Sequence, residues 1–413
     1  MHRVHKIKLD PTNAQAAYFS RACGVARFAY NWALAEWKVQ YEGGGKPNEA
    51  ALRKKLNAIK AEEFPWMAEV TKVAPQNAIK NVGLAFKNFF RRVNQGAKPG
   101  YPRFKKKGLR DAFRADNGPA SPTSNAVECV GKTIKLPRCG VIRMMEQLRF
   151  AGRTLAATVS KQADGWYVAI LVDTSDCLSG RLSKGLVGVD LGVKRLATLS
   201  TGEVIPGLKP HRAAHARLVR LSRSLCRKKK GSNNRAKAKA KLARLHQRIA
   251  NVRRDALDKL TYKLATEFST IAIEDLNVSG MLRNHSLARS IADSGFAEFR
   301  RQLEYKAAMT GAKVFVVDRF YPSSKTCSTC GTLHELNLSN RVMKCNCGNI
   351  IDRDLNAAIN LKKVTESSAG GCQPVQCDAE RSATACGEEG SGRGRKTSVK
   401  PASVKQEIGF EPA

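Results

Sequence analysis

The sequence predicts a multidomain α/β protein, and three observations support this fold class. In the second half, apolar strand-like runs alternate with helical stretches in the order strand, hairpin, helices, strand, helix, strand, which is typical of a mixed central sheet. The first of these runs, residues 186–194, places one acid among β-branched and apolar residues. In the first half, short strand-like runs between residues 125 and 185 follow a long helical block. We therefore expect a central sheet with helices, preceded by a smaller β module.

The first half is predicted to be a small antiparallel β-barrel that carries a helical insertion. Residues 1–12 alternate apolar and polar side chains up to a proline, which indicates an edge-type strand. From about residue 13 to residue 90, apolar side chains recur at steps of three and four, which predicts three helices whose aromatic residues form their core. The other predicted strands are residues 133–136, 140–143, 154–159 and 166–172.

The second half is predicted to hold the central sheet. Residues 195–200 are the expected hairpin partner of the strand that precedes them. Residues 210–268 are very basic and predict two long antiparallel helices with a break near Gly231. A helix from about 294 to 309 leads into a further buried strand at 313–318.

The charge of the chain points to a polyanionic partner. Lys and Arg number 72 against 35 Asp and Glu, which gives a net charge of +37. Such an excess repels itself unless a polyanion neutralises it, and nucleic acid is the first candidate. An anionic membrane surface is the alternative, but the sequence has no apolar run suited to a membrane span and no signal-peptide core at its start. We expect a soluble, cytoplasmic, nucleoid-associated protein without membrane contact.

Two basic segments are candidates for nucleic-acid contact. Residues 98–108 interleave cations with aromatic residues, a combination that binds phosphates and stacks on bases. Residues 227–230 lie in the basic helical stretch, whose cationic face can instead belong to a coiled coil that binds only protein. A solvated charge run is the alternative interpretation of the first segment. The candidate contacts are Tyr101, Arg103, Phe104, Lys105, Lys106, Lys107, Arg227, Lys228, Lys229 and Lys230.

Carboxylates occur at three separate places where strands end or a helix begins. Asp190 lies in the first buried strand, Glu274 and Asp275 end another, and Asp352 and Asp354 precede an apolar helical stretch. Each acid alone is explained as a cap or turn residue. Together, in a very basic chain, they suit Mg²⁺ or Mn²⁺, and a metal pair about 4 Å apart serves phosphodiester hydrolysis. From the residues alone, the choice between Asp352 and Asp354 stays open.

Four of the 12 cysteines form two closely spaced pairs. Four thiolates at this spacing can enclose Zn²⁺ tetrahedrally, and a glycine after each pair permits a tight turn. Such a zinc ion is structural, because four thiolates leave no open position for chemistry. His334 is a possible competing ligand that we expect to be exposed. The ligands are predicted to be Cys327, Cys330, Cys345 and Cys347.

These motifs resemble those of the TnpB (OrfB) family, transposon-associated proteins related to type V CRISPR effector nucleases. The resemblance covers most of the chain up to about residue 363. The shortened second cysteine pair departs from the commoner family pattern. The matching segments are residues 188–192 (Gly-Val-Asp-Leu-Gly), 273–276 (Ile-Glu-Asp-Leu), 324–331 (Ser-Lys-Thr-Cys-Ser-Thr-Cys-Gly), 352–358 (Asp-Arg-Asp-Leu-Asn-Ala-Ala), 25–31 and 100–107.

The resemblance implies an RNA-guided DNA endonuclease with a RuvC-like RNase H fold. By motif position, Asp190 is the first catalytic acid, Glu274 the second and Asp354 the third, because the acid directly before Leu-Asn-Ala-Ala fits better than Asp352. The implied partners are a guide RNA made from the transposon end and a target DNA chosen by base pairing beside a short motif. A monomer bound to RNA is the expected state.

The resemblance also implies a division into domains. Two other functions stay open: an RNA-guided DNA-binding regulator without cleavage, and a transposase- or resolvase-type nuclease that acts without RNA. The expected domains are a β-barrel wedge domain at 1–12 and 100–185, a helical recognition domain at 13–99, a RuvC-like nuclease domain at 186–322 and 351–365, a zinc ribbon at 323–350 and a disordered tail at 366–413.

Overall fold

The computed structural model describes residues 2–117, 127–174, 184–336 and 340–367. The tail that the sequence predicts to be disordered lies, from residue 368 onward, outside the described residues. Within the described residues, no helix combines the length and the apolar character needed to cross a lipid bilayer.

The first half contains a sheet whose described strand pairs are all antiparallel. Its seven strands follow the order β2-β6-β7-β1-β5-β4-β3. The strands are β1 (His2–Asp10), β2 (Ala112–Asp116), β3 (Glu128–Val130), β4 (Thr133–Leu136), β5 (Gly140–Met144), β6 (Arg153–Gln162) and β7 (Gly165–Asp173). The four strands predicted between 125 and 185 are thereby confirmed, whereas the closure of the sheet into a barrel stays a prediction.

The prediction that the first segment is an edge strand is wrong. Strand β1 pairs with β7 from His2 to Lys8 and with β5 at Leu9 and Asp10, so neighbours occupy both of its sides. Alternation of buried and exposed side chains reports only that one face is buried, and an inner strand of an antiparallel sheet shows the same pattern as an edge strand.

Three helices lie between β1 and β2, as the sequence predicts: α1 (Asn13–Glu42), α2 (Glu49–Ile59) and α3 (Val73–Asn94), with a short 3₁₀ turn at Pro65–Glu69. Helix α1 begins with a capping box, in which the Thr12 side chain accepts the N–H of Gln15 and the Gln15 side chain accepts that of Thr12. Phe19 of α1 is fully buried, and its ring centroid lies 5.2 Å from that of Trp166 in β7. The helices and the sheet therefore share one apolar core.

The second half contains a five-stranded mixed sheet, which confirms the prediction. Strands β8, β11 and β12 are parallel, while β9 and β10 continue antiparallel from β8. The order is β10-β9-β8-β11-β12, formed by β8 (Leu186–Leu191), β9 (Arg195–Leu199), β10 (Val204–Pro206), β11 (Thr270–Glu274) and β12 (Lys313–Val317).

Helices cover both faces of this mixed sheet. The residues Val187, Val189 and Ile273 pack on one face in a core that also contains Leu264 of α5 (Asn233–Glu267) and Phe299 of α8 (Phe296–Thr310). The opposite face carries α9 (Arg353–Ser367). The basic stretch forms the predicted pair of long helices, α4 and α5, which is confirmed. The helices are α4 (Pro210–Cys226), α5 (Asn233–Glu267), α6 (Val278–Met281), α7 (Ala288–Ser294), α8 (Phe296–Thr310) and α9 (Arg353–Ser367).

A small hairpin precedes α9. Strands β13 (Val342–Lys344) and β14 (Ile350–Asp352) pair antiparallel, and the second pair of cysteines lies between them. The hairpin therefore connects the cysteine segment directly to the start of α9.

Candidate active site and metal-binding cysteine cluster

Two of the predicted acids lie at the carboxyl ends of neighbouring parallel strands. In the β8–β11 pair, Val189 lies opposite Ile273. The next step in the same register places Asp190 beside Glu274. Side chains at equivalent positions of paired parallel strands point to the same face of the sheet. The sheet alone therefore brings two carboxylates together that are far apart in the sequence.

The third acid reaches the same place through a helix–strand contact. A Cβ atom on Gly188 would lie only 2.0 Å from the carbonyl oxygen of Ala358, so the α9 backbone rests directly on β8. Asp190 lies two residues after Gly188, and Asp354 lies four residues before Ala358. These are steps of roughly 6–7 Å along the strand and roughly 6 Å along the helix.

The pKa of Asp190 shows that these acids interact electrostatically. Burial, with the neighbouring charges of Asp354 and then Glu274, raises the pKa of Asp190 to about 7, although Arg353 opposes the shift. Burial and the charge of Asp275 also raise the pKa of Glu274. Carboxyl groups that are desolvated and face like charges are a suitable environment for a divalent cation, which removes both penalties.

The two neighbouring acids have protein partners of their own. Asp275 binds the guanidinium groups of Arg319 and Arg300, and hydrogen bonds from these arginines lower its pKa. Asp352 accepts the N–H groups of Asp354 at 3.0 Å and Leu355 at 3.2 Å, which caps α9, and it pairs with Arg195 at 2.9 Å. Asp354 also has a cationic neighbour, the guanidinium of Arg353 at 3.9 Å, but this contact is longer than that between Asp352 and Arg195.

The four predicted cysteines form one compact cluster. Their sulfur atoms all lie within 4.8 Å of one another, and Cys327–Cys347 and Cys330–Cys345 are separated by 3.8 and 3.4 Å. A tetrahedron with zinc–sulfur bonds of about 2.3 Å has sulfur–sulfur edges of about 3.8 Å. The cluster therefore fits Zn²⁺. Within the described ranges, the oxygens of the three acids form no set as tight as this.

The local backbone builds this cluster as the sequence predicts. Gly331 and Gly348 have φ angles of 78° and 87°, and each donates its N–H over 3.0 Å to the carbonyl of the cysteine three or four residues earlier. Burial opposes ionisation of Cys327, but the N–H of Cys330 and the amide of Asn349 lower its pKa to about 5. A thiol that ionises readily is a competent zinc ligand.

His334 does not belong to this cluster, and the expectation that it is exposed is wrong. Its side chain is half-buried, and its backbone N–H donates to the carbonyl of Lys325 at 2.9 Å. The short bridge between Thr326 and Leu333 holds the segment back against the first cysteine pair, which explains the burial.

Two buried asparagines connect the cysteine segment to α9, and the sequence analysis missed them. Asn356 and Asn360 are 0% and 3% exposed, and both side chains donate to the carbonyl of Thr326, at 2.7 and 2.6 Å. Asn360 also donates to the carbonyl of Ser323 at 2.8 Å, and Asn356 accepts the N–H of Ser328 at 2.8 Å. Two asparagines four residues apart on an apolar helix were the available signal, since one helix face then carries two amides.

The basic segment at residues 98–108 is attached to helix α1. Asn31 accepts the N–H of Lys105 at 2.7 Å and donates to its carbonyl at 3.0 Å. The Lys105 ammonium lies 4.1 Å from the centre of the Tyr30 ring, so this cation is engaged within the protein. Tyr101 and Phe104 are 51% and 57% exposed, as a contact surface requires. The other exposed cations of this segment are Lys98, Arg103, Lys106 and Lys107.

The second basic segment forms the connection between α4 and α5. The guanidinium of Arg235 donates to the carbonyls of Leu225 at 3.0 Å and Lys228 at 2.7 Å, which fixes the turn. Arg227, Lys229 and Lys230 are exposed around it and Lys228 is half-buried. These charges therefore lie at the end of the helix pair where α4 connects to α5.

Three family models match the chain. Residues 170–285 match a model described as a probable transposase, which includes Asp190 and Glu274. Residues 296–361 match a Cas12f1-like TNB domain, which includes the four cysteines and Asp354. Residues 1–46 match a helix-turn-helix domain, although the structure has one strand and a single 30-residue helix there.

Relatives match over most of their length. A Streptomyces pristinaespiralis protein named "Putative RNA-guided DNA endonuclease" is 38% identical over 366 residues, which cover 87% of this chain and 88% of the relative. The protein of that name with the suffix InsQ from Escherichia coli K12 is 35% identical and covers 87% and 91%. A Mycobacterium tuberculosis relative with the same designation is 32% identical and covers 99% and 97%.

The fold also resembles a solved structure. The chain aligns with a cryo-EM structure of a Cas12f1–sgRNA–target DNA complex with a TM-score of 0.51 and 16% sequence identity. The alignment covers 85% of this chain and 83% of the other. This likeness concerns the mixed α/β fold.

Proposed function

This chain belongs to the TnpB (OrfB) family, and on that premise we propose that it is an RNA-guided DNA endonuclease of a transposon. It would cut DNA by two-metal-ion phosphodiester hydrolysis, at a site chosen by guide-RNA pairing beside a short adjacent motif. The observation that carries this proposal is the contact of α9 with Gly188, because it directs Asp354 toward the strand ends that carry Asp190 and Glu274.

Within this proposal the mixed sheet with α9 is a RuvC-like nuclease domain. Asp190, Glu274 and Asp354 would hold Mg²⁺ or Mn²⁺, hard cations that take oxygen ligands. When bound, the metals would supply Lewis-acid stabilisation and an activated water. Asp275 and Asp352 would not be ligands, because arginines contact them at 2.7 and 2.9 Å, whereas the guanidinium nearest to Asp354, that of Arg353, is 3.9 Å away.

The remaining modules would hold nucleic acid and position the third acid. Zn²⁺ bound to the four cysteines would fix the ribbon, and Asn356 and Asn360 would transmit that order to α9. The wedge and recognition domains, with the exposed residues of the two basic segments, would contact guide RNA and target DNA. The domain boundaries given from the sequence are part of the proposal, and so is a protein monomer bound to RNA.

A plasmid-cleavage assay with matched guide RNA tests this function. The wild-type protein should cut in Mg²⁺ and not in EDTA, and Asp190→Ala should abolish cutting while RNA and DNA binding are kept. Asp255→Ala is the matched control, because Asp255 is an exposed acid on α5 that forms an ion pair with Lys259 on the same helix. Retained cutting by Asp190→Ala would contradict the catalytic assignment.

The same preparation separates the two alternatives. Sequencing of copurified nucleic acid should yield a discrete RNA species, which a nuclease that acts without RNA would not retain. A regulator without nuclease activity would bind the matched target as tightly in Mg²⁺ as in EDTA and would leave it intact.

A further inference from the structure

The most exposed large hydrophobic side chain among the described residues is that of Phe320, which is 85% exposed. A large aromatic side chain left in solvent contributes no burial energy to the folded chain, and its face is free to meet a partner. The position of Phe320 in the fold and the anchoring of its turn indicate which partner the ring meets.

The ring is presented by a fixed turn. The carboxylate of Asp318 accepts the N–H of Phe320 at 2.8 Å, and the carbonyl of Asp318 accepts the N–H of Tyr321 at 3.1 Å. Tyr321 packs beside the core under α9, and Arg319 binds the carboxylate of Asp275. The residues on both sides of Phe320 are therefore anchored, while its own side chain remains in solvent.

This turn lies at the edge of the sheet that carries the acids. Strand β12 runs parallel to β11, with Val317 opposite Glu274. Phe320 follows Val317 by three residues, a reach of at most about 10 Å. The ion pair between Arg319 and Asp275 holds the turn next to Glu274 itself.

We propose that Phe320 is a substrate-positioning residue that stacks on an unpaired base of the DNA strand held at the candidate active site. This inference rests on the proposed function. A single-stranded substrate exposes base faces, and an aromatic side chain binds any base by stacking without reading its identity. A ring on this anchored turn, three residues beyond the strand position opposite Glu274, would limit movement of the strand while the phosphodiester bond next to that base lies at Asp190, Glu274 and Asp354.

Cleavage kinetics of the complete protein with guide RNA test this role. Phe320→Ala should melt at the wild-type temperature and bind the matched target normally, whereas its single-turnover cleavage rate should fall by ~10-fold, in line with loss of one base stack. Phe320→Trp should restore the rate and Phe320→Leu should not, because stacking needs an aromatic face. Tyr262→Ala removes a ring of comparable exposure, 61%, from α5, at a residue to which the proposal assigns no nucleic-acid contact, and should leave the rate unchanged.

A wild-type rate in Phe320→Ala, or full rescue by Phe320→Leu, would overturn the proposal. If the melting temperature falls instead, the ring has a structural role and the proposal is equally refuted.

Photocrosslinking separates failure of this inference from failure of the proposed function. The protein–RNA complex, with Ca²⁺ in place of Mg²⁺, is irradiated with target DNA that carries 5-iododeoxyuridine at successive positions. Crosslinks that mass spectrometry maps to Phe320 support stacking even when the wild-type protein does not cut. Crosslinks elsewhere, with none at Phe320 from any position, refute stacking even when it cuts.

Discussion

The cysteine cluster and the carboxylate cluster are built in opposite ways. The four thiols come from one segment of 21 residues, and local turns bring their sulfur atoms within 4.8 Å of one another. The three acids come from β8, β11 and α9, and successive acids are 84 and 80 positions apart in the sequence. Their convergence depends on strand register and on one helix–strand contact. The first site therefore depends on turns, and the second depends on the packing of the whole domain.

Among the variants that distinguish the carboxylate site from the cysteine site, Gly188→Ala is expected to have the largest effect on cleavage. The new Cβ would collide with the Ala358 carbonyl, and overpacking of this kind costs about 1–3 kcal/mol. Displacement of α9 by about 1 Å should lower the cleavage rate by ~100-fold or more. Zinc content should stay at the wild-type value, because the turns around the cysteines are not touched.

The matched control is Gly207→Ala, whose Cβ would meet Leu196 and Lys209 only at ordinary contact distances of 3.9–4.0 Å. Single-turnover cleavage and metal analysis by mass spectrometry check the pair. Normal cleavage by Gly188→Ala would show that the α9 contact does not position Asp354.

Cys327→Ser should break the local site and, through it, the distant one. The variant should lose zinc and order in the cysteine segment, because the metal-binding free energy is then no longer available for folding. Cleavage should fall by ~10- to 100-fold, comparable to the effect of losing support around a metal site. Cys226→Ser replaces an exposed free thiol at the end of α4 and should change neither property. Full activity in a zinc-free protein would contradict the link between ribbon and acid.

Asn360→Ala tests that link directly. The substitution leaves the buried carbonyls of Ser323 and Thr326 with fewer donors, a cost of about 1–3 kcal/mol. We expect zinc to be retained and cleavage to fall several-fold. The exposed Glu366→Ala on the same helix is the control. Equal cleavage rates of Asn360→Ala and Glu366→Ala would mean that the cysteine segment and α9 are coupled by other contacts.

A smaller effect, on the free energy of unfolding alone, is expected at Asp190. Its folded-state pKa of about 7 exceeds the ordinary value of 3.8, so the folded chain holds this proton more tightly than the unfolded chain. The stability from this group is complete below pH 4 and is lost as the pH rises toward 7. Without divalent metal, Asp190→Asn should therefore be more stable than the wild type at pH 8, by about 2–4 kcal/mol.

Differential scanning fluorimetry at several pH values measures this difference. It should shrink as the pH falls toward 5, and Mg²⁺ should stabilise the wild type more than the variant. The exposed control Asp255→Asn should show no such trend. A gain for Asp190→Asn that is the same at all pH values would refute electrostatic strain at this site.

Local patterns in the sequence predicted much of this protein correctly. Apolar periodicity identified the helix pair α4–α5 and the strands β4–β7, and glycines that follow cysteines predicted the two turns. Strand β1 was misplaced at an edge, because alternation does not show how many neighbours a strand has. Asn356 and Asn360 were missed, because an amide on a helix has a function only when the partner segment is known.

The sequence by itself determined the residue types, the charge and the turns, since these depend on neighbours a few positions away. The tertiary structure decided which distant segments meet, because the packing of α9 on Gly188 brings the start of that helix, with Asp354, to the strand end that carries Asp190. It also decided that Phe320 is exposed to solvent three residues beyond Val317, the residue opposite Glu274. Turns depend on steric contacts between adjacent residues, whereas contact between distant segments depends on how whole surfaces pack against each other.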